Sequence, residues 1–276
     1  IRDALGRRRE LVVGAAHHVA LSAAFVAAAM LGLWLASLRL RDASIVDVFW
    51  GAGFAGIGAI GIAAGDGDPS RRILVGGMAI AWGIRLALYL CARNRGQGED
   101  RRYAAMRRRH GERFGRVSLV TVFGLQGVLM LVVALPLFVG QSLARAGPFG
   151  AFELAGVVVW GTGLAFEAVG DAQLARFKAD PRNAGRVMDR GLWAWTRHPN
   201  YFGDFLVWWG IFVVAARAPW AWALLAALGP IVMSTLLMRV SGVPLLERGL
   251  ARSRPGYAEY AARTPAFFPR PPRRDA

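Results

Sequence analysis

The sequence has very little cysteine and very little lysine. Its only cysteine, Cys91, excludes an intramolecular disulfide and a cysteine-based metal cluster, and we expect no metal site. Cys91 lies inside an apolar run, which favours a packing role. The only lysine is Lys178, although arginine is abundant.

Two further features are missing. The N-terminal segment has no short apolar region followed by a small-residue cleavage site, so we expect no cleaved signal peptide. We find no internal repeat, which disfavours a transporter built from inverted repeats. What the chain does have is 55% hydrophobic residues and ten tryptophans, more than a soluble protein of this length would bury. The composition therefore indicates a membrane protein.

Seven apolar stretches are candidates for membrane spans, since a bilayer core requires about 20 apolar residues per helix. They lie near Val19 to Leu38, Val48 to Gly65, Ile73 to Cys91, Val117 to Val139, Phe152 to Phe166, Phe202 to Ala216 and Trp220 to Met238. The second is glycine-rich and short, and the fifth is expected to continue as a helix to Phe177. The pattern predicts an all-α membrane helical bundle of about seven transmembrane helices, a single integral membrane domain over residues 1–276, with a monomer favoured.

The net charge of +16 would suggest nucleic acid as a partner of a soluble protein. Here the arginines cluster between the apolar stretches, which fits the positive-inside rule and predicts membrane lipids, and no nucleic acid, as partners. Nine arginines between Arg93 and Arg116 place that connection in the cytoplasm. With seven spans the C-terminus is also cytoplasmic and the N-terminus outside. The basic residues Arg2, Arg7, Arg8 and Arg9 conflict with this orientation, so six spans or a re-entrant first segment is the alternative.

Ionisable residues at membrane depth are costly and therefore suggest function. Asp47 opens the second span, either as a first-turn acid stabilised by the helix dipole or as a functional acid. Arg85 lies midway along the third span, as a partner of Asp47, as a snorkelling side chain or as a functional group.

The fifth helix carries a polar stripe. Glu167, Asp171 and Lys178 are spaced by four and seven residues, which keeps them within about 40° of one helical face. The stripe is either a solvated face or a binding surface. In the second case the carboxylates would hold ribose hydroxyls and an amide, and Lys178 would hold a phosphate.

The densest polar motif is GLWAWTRHPNYFGDFLVWWG, residues 191–210. Arg197, His198 and Asn200 precede the sixth span, and Asp204 shares a helical face with Asn200. Pro199 suits the first turn of a helix, whose N-terminus beside Arg197 and His198 is a natural anion site. The alternative is that the motif only caps and anchors the helix.

Several of these motifs resemble those of a known protein family. RHPNYFGD, the later STLLMRVSGVPLLERGLARSRPGYAEYAARTPAFFP, DVFWGAGF and IRLALYLCARNRG together resemble the bacterial branch of the steroid 5-alpha reductase superfamily, long known only as a domain of unknown function. The likeness covers about residues 20–270 and is richest in motifs over about 150–270. The set is specific, whereas RHPNY alone also occurs in isoprenylcysteine carboxyl methyltransferases and sterol C14 reductases.

The resemblance implies an enzyme of the bacterial cytoplasmic membrane that uses NADPH to reduce the carbon–carbon double bond of an enone in a steroid-like or other lipophilic substrate. Substrate-side positions match Asp47 and Arg85, and Tyr89 is a further candidate because Trp82 stands where the reductases have a tyrosine. The implied cofactor-binding residues, with Arg197 and His198 added from the anion site, are Glu167, Asp171, Lys178, Arg197, His198, Asn200, Asp204, Tyr257 and Tyr260.

Such a reaction needs a donor for the carbonyl oxygen, either a protonated Asp47 or, if Arg85 pairs with Asp47, Arg85 itself. The chief rival is an S-adenosylmethionine-dependent methyltransferase, which would use Glu247, Tyr257 and Tyr260 and needs no intramembrane acid. A third possibility is a non-enzymatic lipid-binding protein, which predicts that substitution of Asn200 or Asp204 is harmless.

Overall fold

The protein is all-α, as predicted. The computed structural model describes residues 2–144 and 147–272, with side chains from residue 13 onward. The helices are α1 (Arg2–Leu40), α2 (Ile45–Ala64), α3 (Pro69–Asn94), α4 (Arg101–His110), α5 (Phe114–Ser118), α6 (Leu125–Val133), α7 (Leu135–Ser142), α8 (Ala151–Ala179), α9 (Pro199–Ala215), α10 (Trp220–Thr235), α11 (Val243–Ser253) and α12 (Tyr257–Arg263).

Six helical segments of the described chain are long and apolar enough to cross a membrane, so the protein is an integral membrane protein. They are Val13–Leu40, Ile45–Ala64, Pro69–Asn94, Arg101–Val133, Ala151–Ala179 and Trp220–Ser253. The predicted sixth span is α9, which has 17 residues. A helix of this length extends roughly 26 Å, which is shorter than a hydrocarbon core of about 30 Å. The side of the membrane on which each end lies stays a prediction, and the side chains of Arg2, Arg7, Arg8 and Arg9 lie outside the described residues.

The predicted span from Val117 to Val139 is interrupted. A π-helical turn occupies Leu119–Gly124, and α6 ends before Pro136. Because proline has no N–H and its ring crowds the preceding turn, the helix cannot continue regularly through this position. The backbone tightens at Ala134, whose carbonyl accepts the amides of Leu137 and Phe138 at 2.8 and 3.1 Å.

Two other expectations have clear outcomes. The fifth span does continue as a helix beyond Glu167, because α8 ends only at Ala179. Cys91 is exposed on α3, so the expectation that it packs inside the protein is wrong. An apolar run does not reveal which helical face a residue occupies, and in a membrane protein both faces are apolar.

The chain forms two compact units. Unit 1 comprises Ile1–Phe149 with Val214–Gly229, and unit 2 comprises Gly150–Val213 with Pro230–Ala276. The prediction of a single membrane domain stays a prediction.

A pair of glycine contacts holds two helices together in unit 1. A Cβ on Gly83 of α3 would lie 2.3 Å from the carbonyl oxygen of Gly51 on α2. Gly58 meets Gly76 in the same way one heptad further along α2. Small residues let membrane helices approach closely, so the glycine-rich second span is a packing surface.

Close glycine contacts also join α8 and α9 in unit 2. A Cβ on Gly203 would lie 2.5 Å from both the carbonyl oxygen of Gly163 and the amide nitrogen of Glu167. Gly210 approaches the backbone of Gly156 and Trp160 one heptad away. This close crossing fixes the position of the polar residues that both helices carry.

Candidate functional site

The first polar cluster of interest lies in unit 1 and is assembled by a docked loop. Ser44 accepts the amide of Asp100 at 2.7 Å, and Glu99 accepts the amide of Ala43 at 2.9 Å. Asp100 also caps α4 by accepting the amide of Arg102 at 2.8 Å. The first turn of α4 is therefore held beside the first turn of α2, which contains Asp47.

Three side chains contact Asp47 there. Its carboxylate pairs with Arg102 at 2.8 Å, accepts the Tyr103 hydroxyl at 2.7 Å and lies 3.4 Å from Nε2 of Gln126. Gln126 also donates to the Tyr103 oxygen at 3.1 Å. We call Asp47, Arg102, Tyr103 and Gln126 the Asp47 cluster.

The Arg102 guanidinium and the Tyr103 hydroxyl both donate hydrogen bonds to the Asp47 carboxylate. Tyr103 is 8% exposed, so its hydroxyl is shielded from water. As a sequence pattern, the arginines of RRYAAMRRRH indicate only membrane topology, and a functional role for the tyrosine among them is not predicted. A phenol inside a basic segment next to a membrane span was the signal that could have revealed it.

The two acids of the loop that supports the cluster have lowered pKa values. Burial acts to raise the pKa of Glu99, but hydrogen bonds from Arg107 and the Ala43 amide outweigh it, and the pKa lies below its usual range. The same balance holds for Asp100, where the side chain and amide of Arg102 overcome burial and lower the pKa. Both acids are therefore ionised near neutral pH.

The other predicted substrate-side residues lie on α3. Arg85 and Tyr89 are half-buried, and the Arg85 guanidinium carbon lies 5.7 Å from the centre of the Tyr89 ring. Trp82 is fully buried and packs against Phe54 at 5.7 Å between ring centres. Trp82 is thus part of the core.

The second polar cluster lies on α8 and α9 of unit 2. Glu167 and Asp171 are each only 3% exposed, which excludes a solvated face for these two acids. Asn200, in the first turn of α9, donates to Asp171 at 3.2 Å, and Asp204 lies one turn further along α9. Lys178 is exposed near the end of α8. We call Glu167, Asp171, Asn200 and Asp204 the α8–α9 polar face.

The start of α9 is tied to the C-terminal tail. As predicted, α9 begins at Pro199. The Arg197 guanidinium donates through Nε to Glu247 at 2.8 Å and through Nη1 to the carbonyls of Ala261 and Thr264 at 2.8 and 2.6 Å. Nε2 of His198 lies 3.2 Å from the same Glu247 oxygen. Within the described chain, Arg197 and His198 therefore hold the tail through Glu247, a partner that the reductase interpretation did not include.

The two predicted tail tyrosines are buried beside this turn. Tyr260 donates to the carbonyl of Trp193 at 2.6 Å. Burial, with the charge of Glu247, raises the pKa of Tyr257 to about 12. Burial and the neighbouring Tyr257 also raise the pKa of Tyr260 above its usual value. Both phenols are therefore neutral throughout the physiological range.

Comparison with known proteins gives one match. Residues 33–264 match the family described as "Protein of unknown function (DUF1295)". No curated protein and no solved structure matches the chain. The match covers the Asp47 cluster, the α8–α9 polar face and most of the tail.

Proposed function

This chain is an integral membrane protein that belongs to the DUF1295 family, and we propose that it is an NADPH-dependent reductase of the carbon–carbon double bond of an enone in a lipophilic substrate. The lipophilic substrate class follows from the membrane location. The bacterial cytoplasmic membrane is the proposed location.

The observation that carries the proposal is the hydrogen bond between Tyr103 and Asp47. A buried phenol whose oxygen is fixed 2.7 Å from a carboxylate can redirect its hydrogen by rotation to an oxygen that becomes negative during a reaction. Reduction of an enone needs such a donor at the carbonyl oxygen. The rival methyltransferase reaction has no use for an acid and a phenol at this depth.

The residues of the α8–α9 polar face fit a nicotinamide dinucleotide. Carboxylates such as Glu167 and Asp171 accept ribose hydroxyls, and Asn200 offers both a donor and an acceptor for a carboxamide. The exposed ammonium of Lys178 suits a phosphate. NADPH, when bound, supplies the hydride for the β carbon of the enone. Arg197, His198, Tyr257 and Tyr260 support this surface by holding the tail against the start of α9.

Within the Asp47 cluster, Tyr103 is the proposed donor to the carbonyl oxygen. Its hydroxyl has a single hydrogen, so rotation about the Cζ–Oη bond transfers that hydrogen bond from Asp47 to a substrate oxygen. Asp47 keeps Arg102 as its counter-ion during this rotation. Gln126 continues to donate to the phenol oxygen, which stabilises the negative charge that develops there when the proton moves toward the substrate.

The proposal is tested by ligand-dependent thermal stability of the purified protein in detergent, since a ligand that binds the folded state raises the melting temperature. NADPH should stabilise the wild type and the control Asp180→Asn, which changes an acid outside the polar face. Asp204→Ala should lose that stabilisation. Asp47→Asn should retain it and slow the reduction of enones. Stabilisation by S-adenosylmethionine alone would refute the reductase proposal.

The methyltransferase remains the second candidate because Glu247 is held by Arg197 and His198 beside two buried tyrosines, the residues that interpretation requires. The thermal-stability test with NADPH and S-adenosylmethionine distinguishes the two proposed enzymes. If neither ligand stabilises the protein and Asp204→Ala behaves as the wild type, the non-enzymatic lipid-binding function is favoured instead.

A further inference from the structure

The C-terminal tail of unit 2 contains a pocket with a basic lining. Its volume is about 230 Å³, and three arginines, Arg197, Arg263 and Arg270, line it together with parts of residues 261–265 and 271. No carboxylate is among its lining residues within the described part of the chain. A lining of this composition favours an anionic ligand.

The three guanidinium groups differ in how far they are neutralised. Arg197 pairs with Glu247, and Arg263 pairs with Asp189. Arg270 is exposed and has no ion pair among the described residues, while its amide donates to the carbonyl of Trp195 at 2.9 Å. Because the other two arginines are paired with acids, the pocket has a modest positive charge that is concentrated at Arg270.

Two exposed aromatic residues adjoin the segment that carries Arg270. Trp195, whose backbone carbonyl accepts the Arg270 amide, is 41% exposed, and Phe268 is 56% exposed. The Phe268 ring packs on Phe205 of α9 with 5.9 Å between ring centres, so it extends the apolar surface of that helix, and Phe268 lies two residues before Arg270 in the chain. Exposed aromatic residues next to arginine at the end of a membrane helix are typical of the lipid–water interface.

We propose that this pocket binds the phosphate of an acidic phospholipid headgroup, with the acyl chains lying along Phe268 and Trp195. The guanidinium groups of Arg270 and Arg263 provide charge-assisted hydrogen bonds to the phosphate oxygens. A free phosphate would gain only from the modest charge, whereas a phospholipid also covers the two exposed aromatic rings. A basic pocket in a tail that also carries exposed aromatic residues therefore favours the lipid over a soluble phosphate compound.

The test uses the full chain, purified in detergent and depleted of lipid, with binding measured by native mass spectrometry and by thermal stability. Phosphatidylglycerol should bind and stabilise the protein more than phosphatidylcholine with the same acyl chains. Arg270→Gln should weaken phosphatidylglycerol binding about tenfold or more, because a hydrogen bond to a charged group is lost. The matched control Arg186→Gln removes an exposed arginine outside the pocket and should leave binding unchanged.

Phe268→Ser provides a second variant that keeps the charge and removes one of the two exposed aromatic rings, and it should also weaken phosphatidylglycerol binding. Equal binding of the two lipids, or unchanged phosphatidylglycerol binding in Arg270→Gln, would overturn the proposal. Inorganic phosphate and NADPH are titrated in parallel. If either stabilises the wild type as strongly as the lipid does, and Arg270→Gln abolishes that effect, the pocket binds a soluble phosphate and the lipid assignment is wrong.

Discussion

Replacing Tyr103 by phenylalanine tests the Asp47 cluster directly. The substitution removes one oxygen atom, and with it the donor to Asp47 at 2.7 Å and the acceptor for Gln126 at 3.1 Å. A hydrogen bond to a charged group contributes about 1.5–3 kcal/mol. Asp47 keeps its pair with Arg102, and its side chain is 24% exposed, so we expect the stability loss to lie near the lower limit of that range.

The effect on catalysis should be larger than the effect on folding. If Tyr103 donates to the substrate oxygen, its loss should lower turnover by about 10²–10³-fold, as for other donors that stabilise a developing oxyanion. NADPH should still stabilise the variant, because the α8–α9 polar face is unchanged. The assay follows NADPH oxidation with a panel of lipophilic enones, together with melting curves with and without the cofactor.

Tyr89→Phe is the matched control, since it removes the same atom from the tyrosine on α3 that the sequence suggested. Wild-type turnover in Tyr103→Phe, combined with a large loss in Tyr89→Phe, would show that the donor has been assigned to the wrong residue. A double-mutant cycle of Tyr103→Phe with Asp47→Asn adds a second criterion. Residues in one hydrogen-bond network should couple by about 0.5–3 kcal/mol, so strictly additive effects would contradict the cluster.

Three further predictions concern stability. Gly83→Val should destabilise the protein by about 1–3 kcal/mol because its Cβ would collide with the facing backbone of α2, whereas Gly77→Val, which meets no neighbour within 4 Å, should be tolerated; equal melting temperatures would contradict the close packing of α2 and α3. Because the pKa of Glu99 is depressed from 4.5, its ionised form stabilises the fold above about that pH and the contribution is lost as the pH falls further. Melting temperature in Glu99→Gln should therefore depend less on pH across this acidic range, and a pH profile identical to the wild type would argue against the docked loop. Arg197→Lys cannot reproduce the forked contacts of the guanidinium, so hydrogen exchange should accelerate in residues 257–270 but not in the control Arg190→Lys; unchanged protection of the tail would refute its anchoring role.

Several expectations from the sequence are confirmed because they depend on local properties. Hydrophobic stretches of sufficient length predict membrane helices whatever surrounds them, and six of the predicted spans correspond to long apolar helices. The continuation of α8 past Glu167 follows from helical periodicity. The start of α9 at Pro199 follows from the preference of proline for the first turn. The interruption near Pro136 could also have been predicted from the proline itself, but the continuous hydrophobic stretch around it favours an unbroken span.

Local properties of the sequence therefore establish the membrane class, the positions of six apolar helices and part of the polar site, but not Tyr103 or Gln126. Which polar residues meet depends on the tertiary fold. Tyr103 lies 56 positions after Asp47, and Glu247 lies 50 positions after Arg197, so neither pairing leaves a periodic signal in the chain. Contacts of this kind depend on how loops dock and how closely helices cross, and the glycine pairs that control the crossing become recognisable only when both helices are seen together.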